Sequence, residues 1–352
     1  MEHAYNHGAL EAETMPAIER LMARHWPQSA GYIEPKSGGW NNSTYILQSA
    51  SGRSVLRLYN THRDLDKITF EHSVLKCLAG NGLSFFVPEP IESREGGTVA
   101  RVEDGSGRFA CLFRFIEGAP AEGDTADYAR SFGQAAGSLT LALAEADPGL
   151  PAVYPPYYRL MEAYPACSPE AVREFCRRPP EPFQQLEKEL AVLEEAYTLA
   201  TISLEGLERL PHQLVHGDLN GSNLLLQSTS LDQVEALLDF EFCTRDIRAM
   251  EAAVILSGML GGGREREAVR LFCEGYAEAV QLLPEEIDAL PLLLRLRMVD
   301  VFLHFLSRYW NGTDQSPILI HHIKEQAASL MELESKAWLS EELQLLRNRY
   351  LA

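Results

Sequence analysis

Positive charge is scarce in this chain. Its 352 residues hold 31 lysines and arginines against 50 aspartates and glutamates, a formal net charge of −19. Nucleic acids and anionic membrane surfaces both select for basic patches, so neither is expected as a partner. Paired cysteine motifs are missing as well. The six cysteines (77, 111, 167, 176, 243 and 273) are scattered, with no Cys-x-x-Cys and no His or Cys neighbour at metal-ligand spacing. They read as free, mostly buried thiols. No apolar run approaches the roughly 18 residues of a membrane helix. The first 30 residues lack the basic start, apolar stretch and small-residue cleavage site of a secretory signal, so a cytoplasmic location is expected. Internal repeats and low-complexity tracts are also absent.

What is present is ordinary globular material, 46% apolar and 23% charged, in a chain long enough for two domains. The acidity is uneven: residues 1–118 carry 12 basic and 14 acidic side chains, and the remainder 19 and 36. The second part could favour a cationic substrate, or simply be a solvated surface.

Along the chain, Pro16 to His25 reads as a short helix. "GYIEPKSGGWNNSTYILQSASGRSVLRLY" follows as strand, glycine turn, strand, Ser-Gly turn and strand. Ile68, Leu75 and Leu78 recur at helical spacing and stop at Gly80 and Gly82. "GTVARVE" and "RFACLFRFI" form a hairpin across Asp104-Gly105. This order predicts a small antiparallel sheet with one helix on a face. After a turn-rich link, "EGAPAEGD", long helical patterns dominate. Asp124 or Thr125 can cap a helix presenting Tyr128, Phe132, Leu139 and Leu143, and Phe183, Leu186, Leu190, Leu193 and Tyr197 mark another. Three short strand-like runs lie between 214 and 242, and about four helical segments follow Ile247. The expected domains are 1–117, β-rich, and 118–352, mainly helical.

The chemistry concentrates in "LVHGDLNGSNLLL", Leu214 to Leu226, where His, Asp and two Asn interrupt an apolar run. Asp218 and Asn223 are five apart on a loop between two apolar strands. A carboxylate there can take the proton of an attacking hydroxyl, and an amide oxygen can ligate Mg²⁺. The spacing is that of a kinase catalytic loop, His-x-Asp-x4-Asn. Sixteen residues after Asn223, "ALLDFEF" places Asp239 at the end of an apolar run, as a second hard-oxygen ligand for a Mg²⁺–ATP site. The other reading is a polar loop closed by Asx turns.

"VHGDLNGSNLLL" and "LLDFEF" resemble the aminoglycoside phosphotransferase/choline kinase superfamily, relatives of the protein kinases. Gly217 stands where protein kinases have Arg, and no Ala-Pro-Glu segment or long activation loop is identifiable. "LLDFEFCTRDIRAMEAAVIL" is similar to type II homoserine kinase-like and spore-coat-like members. The resemblance implies a bilobal protein-kinase-like α+β fold, with a nucleotide-binding N-lobe and a catalytic C-lobe.

It also implies further site residues. Arg57 takes the place of the usual strand lysine as the phosphate-binding cation, or is an exposed strand arginine. Glu71, 14 residues on, orients that cation, or is an ordinary first-turn glutamate. The loop containing Gly38, Gly39, Asn41, Asn42 and Ser43 covers phosphates, or is a plain hairpin turn. Adenine lies against Phe113 to Glu117, with Phe113 and Phe115 as contacts. Glu241 touches a second metal or an Arg, or is structural, and His216 holds the loop rather than acting as the base. The "YPPYY" cluster, Tyr154 to Tyr158, is core or substrate pocket. The implied activity is ATP- and Mg²⁺-dependent transfer of the γ-phosphoryl group to a small-molecule hydroxyl, on homoserine, another amino alcohol or an amino sugar. An atypical protein kinase and a non-catalytic nucleotide-binding or spore-coat-like protein are the alternatives.

Overall fold

The computed structural model describes residues 2–36, 42–61, 64–204 and 206–347, with side chains from Thr14 onward. The chain divides into two compact units. One comprises Met1–Gly82, Phe86–Glu117 and Asp147–Val153, the other Leu83–Phe85, Gly118–Ala146 and Tyr154–Ala352. The first is β-rich and the second mostly helical, the α+β class that the patterning predicts.

In the first unit, α1 (Glu2–His25) precedes β1 (Tyr32–Lys36), β2 (Asn42–Ser49), β3 (Gly52–Tyr59), α2 (Leu65–Leu78), β4 (Ala100–Arg101) and β5 (Phe109–Arg114). The expected helix over Pro16–His25 is thus only the end of a longer one. Proline favours a first turn, which is why it marks a start in the sequence, but α1 accommodates Pro16 internally at the cost of a backbone hydrogen bond. The strands form one antiparallel sheet in the order β1-β2-β3-β5-β4. Strand side chains alternate between faces, and this alternation decides what each face does. Leu47 on β2, Leu56 and Leu58 on β3, and Ala110 and Leu112 on β5 pack with Ile18, Leu21, Met22 and Trp26 in one buried cluster. The other parity of β3 and β5 carries Arg57, Tyr59 and Phe113, which meet Glu71 and His72 of α2. Two helices therefore flank the sheet where the sequence suggested one.

In the second unit, β6 (Ala119–Pro120) leads through α3 (Ala129–Glu145), α4 (Leu160–Ala163), α5 (Pro169–Arg177) and α6 (Glu187–Ser203) to β7 (His212–Val215). Then come β8 (Leu224–Gln227), β9 (Ser230–Leu237) and β10 (Thr244–Ile247), followed by α7 (Ala249–Ser257), α8 (Glu265–Tyr276), α9 (Pro284–Trp310), α10 (Ser316–Ser335) and α11 (Leu339–Leu343). Part of the turn-rich link is itself a strand: β6 pairs with β8 through Ala119↔Leu226. Separately, β7 pairs antiparallel with β10.

The helical core is tightest where α3 crosses α8. A Cβ on Gly133 would meet the Phe272 carbonyl oxygen at 2.2 Å, and one on Gly275 would meet that of Arg130 at 2.2 Å, so only glycine permits this backbone contact. The cysteines are free, with five buried and Cys77 half-buried. Among the described residues, no helix is long and apolar enough to cross a membrane.

Candidate active site

The interrupted run 214–226 is the end of β7, a loop, and the start of β8. Two strand pairings hold that loop. Val215 is opposite Thr244 of β10, and Leu224 is opposite Leu237 of β9. The second pairing also brings together residues sixteen apart: the Leu238 N–H donates to the Asn223 carbonyl at 2.8 Å, so Asn223 and Asp239 flank one end of the β8–β9 hairpin.

His216 is fully buried at the base of the loop. Its Nδ1 accepts from the Asp218 N–H at 3.3 Å, so the proton resides on Nε2, which donates to the Leu238 carbonyl at 2.9 Å. Burial pushes the imidazole pKa down, keeping it neutral, and its ring lies 4.5 Å from that of Phe240. Both ring nitrogens are thus committed to backbone groups of the loop and the hairpin. This is the chemistry of a strut rather than of a proton shuttle.

Gly217 has φ +82°, and a Cβ there would approach the Phe242 carbonyl oxygen to 2.6 Å. Only glycine fits both the turn and the approach. The turn aims Asp218 outward, with its side chain 24% exposed. Two amides clasp the Asp218 carbonyl: Asn223 Nδ2 at 2.8 Å and Asn220 Nδ2 at 3.0 Å. With its nitrogen so engaged, Asn223 has its Oδ1 directed away from that carbonyl. Asp239 has φ +66°, the one non-glycine residue in the left-handed region among the described residues. Such strain persists where the surroundings impose it, often at functional sites. The amide oxygen of Asn223 and the carboxylate of Asp239 are hard donors of the kind Mg²⁺ takes. Glu241 is buried in the short turn Phe240–Phe242 that follows.

Several residues here were not singled out in the sequence. Arg297 of α9 donates from Nη2 to Asp218 Oδ1 at 2.5 Å and from Nη1 to the Tyr157 hydroxyl at 2.7 Å. Tyr157 in turn donates to the Gly217 carbonyl at 2.5 Å. Asp300, one turn along α9, lies 3.6 Å from Arg297 and accepts from Tyr164 at 2.8 Å. Burial would lower the Arg297 pKa, but Tyr157, Asp218 and Asp300 outweigh it and raise it. Burial pushes Asp300 up to about 6 despite Arg297. Two more buried acids brace the loop. Asp246 accepts from the Tyr157 N–H, and Glu251 from the His216 N–H, both at 2.6 Å. Burial pushes each up to about 7. The sequence does hold a signal: "LLLRLRMVD" and "MEAAVIL" set charges inside apolar helical runs, where burial demands a partner. The "YPPYY" cluster splits. Tyr157 belongs to the Arg297 network, whereas Tyr158 lines a cleft of about 370 Å³ with Arg159, Leu204 and Arg209.

The first unit holds the other candidates. The parity of β3 that faces α2 puts Arg57 Nη1 3.3 Å from Glu71 Oε1, and Tyr59 donates to Glu71 Oε2 at 3.0 Å. Glu71 is 2% exposed and Arg57 16%. The Arg57 guanidinium lies 5.6 Å from the centre of the Phe113 ring, whose edge contact with His72 is at 5.5 Å. Burial, then Arg57, pushes His72 down to about 4, so it is neutral and pairs with the Thr98 hydroxyl at 2.6 Å. Phe115 carries the Arg53 guanidinium 3.9 Å above its ring. Asn42 and Ser43 open β2, and Ser43 Oγ accepts from Asn60 at 2.8 Å. Gly38, Gly39 and Asn41 lie outside the described residues.

Homoserine kinase of Rhizobium meliloti is 28% identical over 293 residues, 82% of this chain and 83% of that protein. The structure of the microcompartment-associated aminopropanol kinase superposes with a TM-score of 0.71 at 20% identity, over 94% of this chain and 99% of that one. Amicoumacin kinase hAmiN, solved with AMP-PNP, Ca²⁺ and Ami, gives 0.66 at 16% identity, over 94% and 96%. These two show likeness of fold. The family model described as the phosphotransferase enzyme family matches residues 33–290, a span that takes in the sheet, the loop and the hairpin. The chain belongs to the phosphotransferase enzyme family.

Proposed function

We propose that this protein transfers the γ-phosphoryl group of ATP, with Mg²⁺, to the hydroxyl of a small molecule, with homoserine or another amino alcohol as the leading acceptor class. The observation that carries the reading is the loop itself. One turn holds the Asp218 carboxylate partly exposed, and the hairpin sets Asn223 and Asp239 at its one end. The homoserine kinase relative and the aminopropanol kinase fold support the acceptor class. The nucleotide and divalent cation bound in amicoumacin kinase support the donor.

In this reading Asp218 orients the acceptor hydroxyl and takes its proton as the new O–P bond forms. The bond from the γ-phosphorus to the bridging oxygen breaks, and ADP leaves. Asn223 and Asp239 hold the metal, which when bound supplies charge neutralisation for the phosphates. Arg57, oriented by Glu71, holds the α- and β-phosphates; the loop of Gly38, Gly39, Asn41, Asn42 and Ser43 covers them. Phe113 and Phe115 flank adenine. Residues 1–117 then act as the nucleotide lobe and 118–352 as the catalytic and acceptor lobe. Most of the rate enhancement comes from positioning and charge stabilisation.

An ADP-coupled screen of homoserine, aminopropanol, choline, amino sugars and aminoglycosides tests this directly. Acceptor-dependent ADP formation with an amino alcohol is the expected result. No turnover of any acceptor, together with no Mg²⁺-dependent stabilisation by ATP in a thermal melt, would overturn it.

A further inference from the structure

A carboxylate that must receive a proton from a bound hydroxyl has two oxygens and a broad terminal torsion, so something has to decide which oxygen faces the acceptor. In this chain the fixed oxygen is Oδ1, which takes the Arg297 Nη2 hydrogen bond at 2.5 Å. We propose that Arg297 is the positioning residue of Asp218, locking Oδ1 so that Oδ2 is presented to the acceptor hydroxyl. This rests on the phosphotransfer reading above.

The geometry makes the lock a closed ring rather than a single pair. Arg297 Nη1 donates to Tyr157, Tyr157 donates to the Gly217 carbonyl, and Gly217 is bonded to Asp218. Tyr157 is also fixed through its own N–H to Asp246, and Asp300 backs the guanidinium while accepting from Tyr164. The ring therefore ties both the side chain of Asp218 and the backbone just before it to one point on α9. A planar guanidinium can serve a carboxylate and a phenol from two nitrogens at once, which an ammonium cannot do in the same geometry. An ion pair this sheltered, 18% and 24% exposed, is a poor stabilising device because desolvation offsets its attraction. Orientation is what it can supply.

The test uses the full chain, Mg²⁺–ATP and the best acceptor of the screen. Arg297→Met should lower kcat about 10²-fold, as misplacement of a reacting group by about 1 Å does, with the KM for ATP within about 2-fold. Arg297→Lys should recover only part of the loss. A double-mutant cycle separates orientation from scaffolding: in an Asp218→Asn background, Arg297→Met should cost no more than about 2-fold further, because its target is already gone. Losses that multiply instead, or an Arg297→Met enzyme as fast as or faster than the parent, would overturn the proposal while leaving phosphotransfer intact. If Arg297→Met fails to fold, Tyr157→Phe decides, since it opens the ring and keeps the charges. A kcat drop of about 10-fold supports the lock, and an unchanged kcat overturns it. A parent chain that turns over no acceptor would overturn the functional reading itself, and this proposal with it.

Discussion

Arg57 in the first unit and Arg297 in the second each meet a carboxylate, but the two carboxylates differ in burial. At Arg57 the carboxylate is the sequestered partner: Glu71 is 2% exposed and the guanidinium 16%. At Arg297 both members are half-buried, 18% for the cation and 24% for Asp218. The contacts differ too, 3.3 Å for the first pair and 2.5 Å for the second. The same two chemical groups thus leave only the cation open in the first unit and both groups partly open in the second. Under the proposed function, Arg57 is the group that would hold phosphate and Asp218 the one that would take a proton. Burial of the carboxylate marks the first pair, whereas the second is distinguished by its shorter contact with both members half-buried.

The largest effect that would break this comparison is on the outward carboxylate. Asp218→Asn should lower kcat by about 10³- to 10⁴-fold, with Mg²⁺–ATP affinity kept within about 2-fold. Steady-state kinetics alongside nucleotide titration would check this, and near-normal turnover would end the base assignment. Next comes Asp239→Ala, which should weaken Mg²⁺-dependent ATP binding by about 10²-fold, read by calorimetry with and without the ion. A variant that binds as before would remove Asp239 from the metal site.

Gly217→Ala asks whether the turn that aims Asp218 can be built otherwise. Its left-handed φ and the 2.6 Å approach to Phe242 set a stability loss of about 1–3 kcal/mol, to be measured by denaturant unfolding. A smaller effect concerns the acids beneath the loop. Asp246 and Glu251 titrate near 7 when folded, above their ordinary carboxylate values of 3.8 and 4.5. The folded chain therefore binds more protons than the unfolded one between about pH 4 and 7. The stability these two groups contribute is complete below about pH 4 and is lost as pH rises through 7. Glu251→Gln should flatten that decline in melts taken from pH 5 to 8, and an unchanged slope would show that Glu251 is ionised throughout. The smallest effect is expected for Arg57→Lys. Because the cation is the outward member of its pair, ATP KM and kcat should move by no more than about 3-fold. A loss of 10²-fold would show that the fork geometry of Arg57 matters as much as that of Arg297.

The candidate residues that the sequence discloses are those that local chain geometry brings together within each unit. Asp218, Asn223 and Asp239 fall within one strand–loop–hairpin, so spacing alone relates them. Strand alternation likewise puts Arg57 on the parity that meets α2, 14 residues from Glu71 in sequence. Arg297 is 79 residues from Asp218 and joins it through helix packing, which no local spacing encodes. The fold class was legible for a similar reason: period-2 and helical patterns write themselves into each segment. The length of α1 and the pairing of β6 were not, since proline position and a two-residue strand depend on tertiary surroundings.

For protein engineering, the glycine seam between α3 and α8 divides the second unit into what can be diversified and what cannot. Helices whose backbones touch leave no room for altered side chains at Gly133 or Gly275. Variant libraries should leave that seam untouched. Arg159, Leu204 and Arg209, which line a cleft and are exposed or half-buried, can be varied instead; Tyr158 beside them is buried and bonded to His212.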